Sequence, residues 1–232
     1  MQLGASYPVI RGYNENLSLT GGIDGIDSRN ALLGLAIANE DIRAARLSAN
    51  YGLTGPRSAL SLGGSLSFGL GLFGARVTDP ATETPDFRKL VLQGSYNRLA
   101  GDDWVVRLRA AAQIAFDKLP VSELYALGGP DFGRAFLQAT ALGDSALAES
   151  MEIGFDPKSM PAPLNGVELF GFADNGDTWY RARSASPAIH ETLASVGGGV
   201  RFPIGPKTKL ELSAAHALTA DGPGLKSNGW RF

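Results

Sequence analysis

Between residues 57 and 73, Leu60, Leu62, Leu66, Phe68, Leu70 and Leu72 fall on one parity, and Ser61, Gly63, Ser65, Ser67, Gly69 and Gly71 on the other. A period of two is the side-chain period of an extended strand. This stretch is therefore expected to lay one face in an apolar medium and the other in a polar one. Residues 104–116 repeat the pattern: Trp104, Val106, Leu108, Ala110, Ala112, Ile114 and Phe116 alternate with Val105, Arg107, Arg109, Ala111, Gln113 and Ala115. In 45–54, Ala45, Leu47, Ala49, Tyr51 and Leu53 oppose Arg46, Ser48, Asn50, Gly52 and Thr54. Weaker alternation covers Leu3–Val9, Leu17–Ile23, Leu90–Tyr96, Leu147–Phe155, Val167–Ala173, Ala194–Phe202 and Leu210–Leu218. The reading is all-β with about ten strands, since no stretch sustains the i, i+3, i+4 spacing of an amphipathic helix.

The joins between these runs also alternate. Arg11–Tyr13, Gly55–Pro56, Ala100–Asp102 and Gly205–Pro206 mark short turns, with Pro157–Pro163 in a short-turn slot; longer joins are expected at 28–40, 74–85, 118–146 and 177–189. Short connections at one end and long ones at the other describe an antiparallel up-and-down barrel of the outer-membrane type.

Alternation by itself does not say which face meets the apolar medium, because a soluble lipocalin-like barrel alternates with its apolar side inward. Three features favour lipid outside. The apolar parities carry almost no charge, Glu149 being the main exception. Runs of ten or more residues match the ~9–11 needed for a tilted crossing. The polar parities are rich in Ser, Gly, Ala and Asn, where a soluble exterior would carry Lys and Glu. Trp104, Phe116, Phe73, Phe155 and Phe202 near strand ends are placed to form interfacial girdles.

Bulk properties exclude several functions. Net charge is −2 across 232 residues, which gives a nucleic-acid partner no electrostatic support. The absence of cysteine removes disulfides, thiol catalysis and thiolate metal sites together. The two histidines, His190 and His216, have no ligand spacing, so no metal is expected. Nor is a catalytic residue or cofactor site expected: Gly-x-Ser-x-Gly does not occur, and Gly21-Gly22 and Gly197-Gly198-Gly199 lie inside strands, where glycine marks close packing more than a phosphate cradle. No run approaches the ~18 apolar residues of a spanning helix, and the opening residues 1–8 have neither the basic start nor the apolar core of a targeting signal.

Two unusual runs break the rhythm. Leu127-Gly128-Gly129-Pro130-Asp131-Phe132-Gly133-Arg134-Ala135-Phe136 holds one arginine among glycines and aromatics; Phe170-Gly171-Phe172-Ala173-Asp174-Asn175-Gly176 puts an acid on the parity of two phenylalanines. Val167, Leu169 and Ala173 take the lipid parity, which turns Glu168, Phe170, Phe172 and Asp174 inward. Arg46, Arg107 and Arg109 share polar parities and are candidate lumen lining with Glu168 and Phe170.

These residues resemble the two-partner secretion transporters (TpsB; the ShlB/FhaC/HecB haemolysin secretion/activation family). Tyr7-Pro8-Val9-Ile10-Arg11 followed by Asn16-Leu17 is similar to a mid-barrel segment of that family. Leu127-Gly128-Gly129 with Arg134 and Phe136 resembles its inward-folded loop, and Phe172-Ala173-Asp174 with Gly176 resembles its Phe-x-Asp strand motif. One departure stands out: the family tip has Gly after the arginine, and here Ala135 follows while Gly133 precedes. Ala accepts positive φ less readily, so the substitution bears on how tightly the tip can turn.

The resemblance implies that loop 118–146 enters the lumen. It implies a loop-to-barrel lock of Arg134, Asp174, Phe136, Phe172, Gly128 and Gly129. Residues 1–232 are then expected to be the C-terminal part of a barrel of about sixteen strands. The signal peptide and periplasmic POTRA domains are expected upstream, outside these residues. The implied function is a non-enzymatic outer-membrane pore that secretes a partner polypeptide without ATP, with membrane lipid around it. An outer-membrane assembly insertase of the same superfamily and a passive porin are the alternatives.

Overall fold

The computed structural model describes residues 2–32, 35–78, 83–157, 161, 166–184, 186–204, 208–223, 225 and 229–232, with the side chains of residues 30–39 outside that description. Its strands are β1 (Gln2–Arg11), β2 (Glu15–Leu32), β3 (Leu35–Thr54), β4 (Ser58–Gly69), β5 (Arg88–Ala100), β6 (Trp104–Ala115), β7 (Tyr125–Leu127), β8 (Ala141–Gly143), β9 (Ser145–Phe155), β10 (Glu168–Tyr180), β11 (Ile189–Pro203), β12 (Lys209–Asp221) and β13 (Trp230–Arg231). Among the described residues eleven strands form one antiparallel up-and-down sheet in the order β1-β2-β3-β4-β5-β6-β9-β10-β11-β12-β13, and β7 pairs with β8 in a small separate sheet. The ten alternating runs of the sequence are the ten long strands of that order. The sheet has β1 at one edge and the short β13 at the other.

The parity of the sequence becomes the two faces. Along β9 and β10 exposure alternates residue by residue: Glu168, Phe170, Phe172 and Asp174 are buried, whereas Leu169 and Trp179 are exposed. Leu147, Met151 and Ile153 likewise lie exposed on the same outer face as Leu62, Leu66, Leu92 and Leu108. A mostly apolar outer surface of this kind, broken by the exposed Glu149, is the pattern of a sheet immersed in lipid. Trp104 packs against Phe155 across β6 and β9 at one end, with ring centroids 4.8 Å apart. His216 is on the outer parity, beside Trp230 at 5.1 Å.

Two sequence expectations are corrected. The join at 28–40 is not a loop: β2 and β3 stay paired through Ser28↔Glu40 and Arg29↔Asn39 up to Leu32↔Leu35. These strands are 18 and 20 residues long, roughly twice the ~9–11 needed to cross a bilayer. The hairpin therefore runs well beyond the wall, and beyond lipid neither face has to be apolar. Alternation fades through Asp24, Asp27, Ser28, Asp41 and Arg43 while backbone pairing continues. In the opposite direction, β4 ends at Gly69 although alternation runs on to Leu72. The amides of Gly69 and Leu70 turn to Phe87 O and Arg43 O, both at 2.7 Å. A Cβ on Gly69 would lie 2.0 Å from Pro85 O, so this crossing of chains needs glycine. The joins at Gly205–Pro206 and most of Pro157–Pro163 lie outside the described residues.

Glycines on the inner face of β11 make room for aromatic rings from β10. Phe172 faces Gly197 and Phe170 faces Gly199 in the register. A Cβ at Gly197 would come within 2.2 Å of Ala214 O and 2.4 Å of Phe172 Cζ. The ring can rotate, but the β12 backbone cannot retreat without breaking the ladder. Gly197→Val in the complete protein is therefore expected to destabilise the barrel by about 1–3 kcal/mol through overpacking. Gly52→Val, where a Cβ meets nothing within 4 Å, is the matched control. Thermal unfolding in detergent measures both, and equal midpoints for the two variants would refute this account of the ring slots.

Candidate functional site

The inner face of the sheet is covered by the connection between β6 and β9, which folds onto it from the long-loop end. A short 3-10 turn, Val121–Glu123, begins this inward segment. The β7–β8 hairpin follows, pairing Tyr125↔Gly143 through Leu127↔Ala141. Leu127, Phe136 and Ala141 pack with Ala148, Leu193 and Ala217 of β9, β11 and β12 into one buried cluster. Gly176 of β10 leaves the hollow that Leu127 fills: a Cβ there would be 2.6 Å from Leu127 Cδ1.

The tip is shaped by three glycines. Gly128 and Gly129 both have φ of +105° and Gly133 has +78°, conformations that glycine adopts without a Cβ clash. Gly128 is doubly constrained, since a Cβ would sit 2.3 Å from Leu137 O. Ala135 is not among the positive-φ residues. The left-handed turn falls on Gly133, one residue before the arginine, so a methyl group after the arginine costs the tip nothing.

The lock begins at Asp174, whose side chain is fully buried on β10. Its carboxylate accepts from the Arg134 backbone N–H at 3.2 Å, Arg134 Nε at 3.1 Å and Nη2 at 3.1 Å. Ser150 Oγ adds a bond at 2.7 Å and Ser195 Oγ one at 3.1 Å. Arg134 Nη1 donates to Glu152 at 2.8 Å and Nη2 to Ser150 at 2.9 Å, while its guanidinium lies over the Phe172 ring at 3.6 Å. Phe136 is buried beside the lock, and Arg231 of β13 donates to its carbonyl oxygen. Arg134, Asp174, Phe136, Phe172, Gly128 and Gly129, the six residues that the resemblance groups, thus lie near one another.

The candidate lining residues hold specific partners. Arg107 pairs with Glu168 at 2.5 Å and Glu152 at 3.0 Å. Arg201 joins Glu152 at 2.7 Å, Glu168 at 2.8 Å and Glu211 at 2.7 Å, and covers the Phe170 ring at 3.8 Å. Arg109, half-buried, reaches Asp131 of the loop at 3.1 Å, where the aspartate is largely in solvent. Arg46 links Asp24 at 2.7 Å to Glu123 at 2.6 Å. The charges of Arg46, Arg107 and Arg109 on the inner face are thus matched by neighbouring acids.

Sequence reasoning missed Arg201, Ser150, Ser195 and Glu152, although all four lie on inward parities: Ser150 and Ser195 pair with Asp174 in the register, Glu152 with Phe172 and Arg201 with Glu168. It also missed the anchors at the base of the loop. Glu123 receives Lys89 at 2.8 Å as well as Arg46. Glu40 caps the 3-10 turn through the amides of Val121 at 2.8 Å and Ser122 at 2.9 Å. Buried Asp144 accepts from Leu119 N at 2.7 Å, Arg181 N at 2.8 Å and Arg183 Nη2 at 2.9 Å. Burial raises the Glu123 pKa, but the Arg46 hydrogen bond and the Lys89 ammonium outweigh it and hold the carboxyl below the usual carboxylate range.

A profile of the haemolysin secretion/activation proteins ShlB/FhaC/HecB matches residues 1–202. The fold is similar to the solved structure of CdiB from Escherichia coli, with TM-score 0.78 and 20% identity over 99% of this chain and 43% of that one. CdiB from Acinetobacter baumannii is similar too, with TM-score 0.74 and 18% identity over 99% of this chain and 40% of that one. The chain therefore spans about two fifths of the solved chains it resembles. No curated protein matches it by sequence.

Removing one partner from a buried, hydrogen-bonded ion pair costs roughly 3–5 kcal/mol, because the other charge stays buried alone. Arg134→Ala in the complete protein is thus expected to free the tip, read as faster proteolysis between residues 128 and 140. Arg134→Lys keeps the charge but not the planar fork, and is expected to fall between. Wild-type protection in Arg134→Ala would contradict the lock. The depressed pKa of Glu123 gives a separate prediction for the base. Its stabilisation is present above the unfolded-state carboxylate pKa and is lost as pH falls through the lower folded value. Cleavage at 117–124 should therefore stay flat from pH 8 to 5 and rise below about pH 4; a rise already at pH 6 would rule out this carboxylate as the cause.

Proposed function

The chain belongs to the haemolysin secretion/activation (ShlB/FhaC/HecB) family, and on that premise we propose that it is the C-terminal part of an outer-membrane barrel that secretes a partner polypeptide. The observation that carries this reading is the inward segment, locked through Arg134 to Asp174 and Glu152 on the polar face of the sheet. A wall that only let small solutes pass would have no need of a jointed obstruction. A segment held by ionic and hydrogen-bonded contacts can be displaced and returned, as passage of a long polymer requires, which supports secretion over a passive porin. The outer surface of leucines meets membrane lipid, and the transported chain takes the polar side.

In this reading the complete protein adds strands before β1 that close the sheet, because open edges in lipid leave backbone groups unpaired at several kcal/mol each. It also adds a signal peptide and POTRA domains upstream, which bind extended segments of the partner along a sheet edge. No nucleotide is used; the drive is folding of the partner on the far side. The chain acts as a pore and not as an enzyme, and residues 118–146 are its gate.

Arg134→Ala and Asp174→Ala in the complete protein are each expected to lower the amount of partner in the medium at least several-fold. The heat-modifiable barrel band in outer-membrane fractions should stay at the wild-type level. If both variants secrete normally with the barrel intact, the gate assignment fails.

A further inference from the structure

The wall formed by β9, β10 and β11 holds a guanidinium group, and it is the chain's own loop that supplies it. Arg134 meets both oxygens of Asp174, Glu152 Oε2 at 2.8 Å, Ser150 Oγ at 2.9 Å and the Phe172 face at 3.6 Å. All these partners sit on strands, Asp174 and Phe172 on β10 and Glu152 and Ser150 on β9, and so belong to the wall and not to the loop. Ser195 also holds Asp174 from β11 at 3.1 Å, so the carboxylate keeps its orientation when the arginine leaves.

The neighbouring cations are already committed. Arg107 is held by Glu168 and by Glu152 Oε1, and Arg201 by Glu152 Oε1, Glu168 and Glu211. Glu152 therefore has one oxygen fixed by Arg107 and Arg201, while Oε2 is turned to Arg134. With Arg134 present, Arg107, Arg134 and Arg201 stand against Glu152, Glu168, Asp174 and Glu211; without it, two cations stand against the same four acids. Departure of the tip leaves a preshaped acidic slot with an aromatic floor.

We propose that this slot is a guanidinium-binding site in its own right, which takes arginine side chains of the transported polypeptide while the loop tip is out. It selects arginine over lysine. A planar fork satisfies Asp174, Glu152 and Ser150 together and stacks on Phe172, whereas a compact ammonium reaches fewer of them and is harder to desolvate. The identity of the ligand's carrier rests on the secretion reading above; the slot itself does not.

The test uses the complete protein carrying Arg134→Gly, which empties the slot, in planar bilayers without any partner. Guanidinium chloride far below denaturing concentrations, or N-acetylargininamide, is expected to lower the open-pore current several-fold. Ammonium chloride or N-acetyllysinamide at the same ionic strength should leave it unchanged, and adding Asp174→Asn should abolish the difference. If Arg134→Gly does not assemble alone, the folded yield recovered with each cation is the readout, with recovery by guanidinium and not by ammonium expected. Equal responses to the two cations, or a guanidinium response that survives Asp174→Asn, overturns the proposal. Since no partner is present, that failure leaves the secretion test standing, and normal secretion by the loop variants would leave the slot standing.

Discussion

Asp174 is a carboxylate with no exposed surface in the wall of a sheet, and the position of the inward loop depends on it. An isolated buried charge is untenable, so it must be paired and its lone pairs filled. Ser150 and Ser195 come from the two flanking strands, and the remaining acceptor positions take Arg134 through both its backbone amide and its guanidinium. The backbone contact matters as much as the charge. It fixes where the loop itself lies, since a long flexible side chain alone would tolerate several positions of the main chain behind it.

From that point the inner face divides into zones. Towards the short-turn end, Arg107, Arg201, Glu152 and Glu168 form a linked ionic group over Phe170. Towards the long-loop end, apolar packing of Leu127, Phe136 and Leu193 takes over, with Gly176 hollowed to receive the leucine. The outer face needs none of this. Its requirement is only that backbone groups be paired and side chains be apolar, which repeated leucines on one parity satisfy.

The wall was legible in the sequence because lipid imposes the same demand on every strand. Leu60 to Phe68 and Trp104 to Ile114 therefore announce their register by themselves. The β2–β3 hairpin was misread as a join because the demand stops where lipid stops: Asp27 and Arg43 can face water on a ribbon that stays paired, with one register shift at Asn30/Ala31. Leu70 and Leu72 misled in the other direction, continuing the rhythm after the backbone had already turned to Phe87 and Arg43. Parity turned Asp174 inward and the glycines marked the loop as unusual, but joining Arg134 to Asp174 came from the family resemblance of the two runs. Arg201 and Glu152 were on inward parities too, but the sequence carries no signal for which inward charges share a neighbour; that follows only from the pairing of β10 with β9 and β11.

The loop is not held uniformly along its length, and the difference has a physical consequence. At its base, two carboxylates, an ammonium and an amide bind backbone groups: Glu40 on Val121 and Ser122, Asp144 on Leu119, Lys89 and Gln113 on the Glu123 carbonyl. Backbone groups have few alternative partners once buried, so releasing them means unfolding the segment. At the tip, most of the contacts are between side chains, and each charged group there has polar neighbours that remain when Arg134 departs. These charges are buried too, but a side chain can trade one partner for another without the main chain behind it unfolding. This difference in contacts supports the proposed reading of residues 118–146 as a gate fixed at its roots and released at its tip, and not as a plug ejected whole.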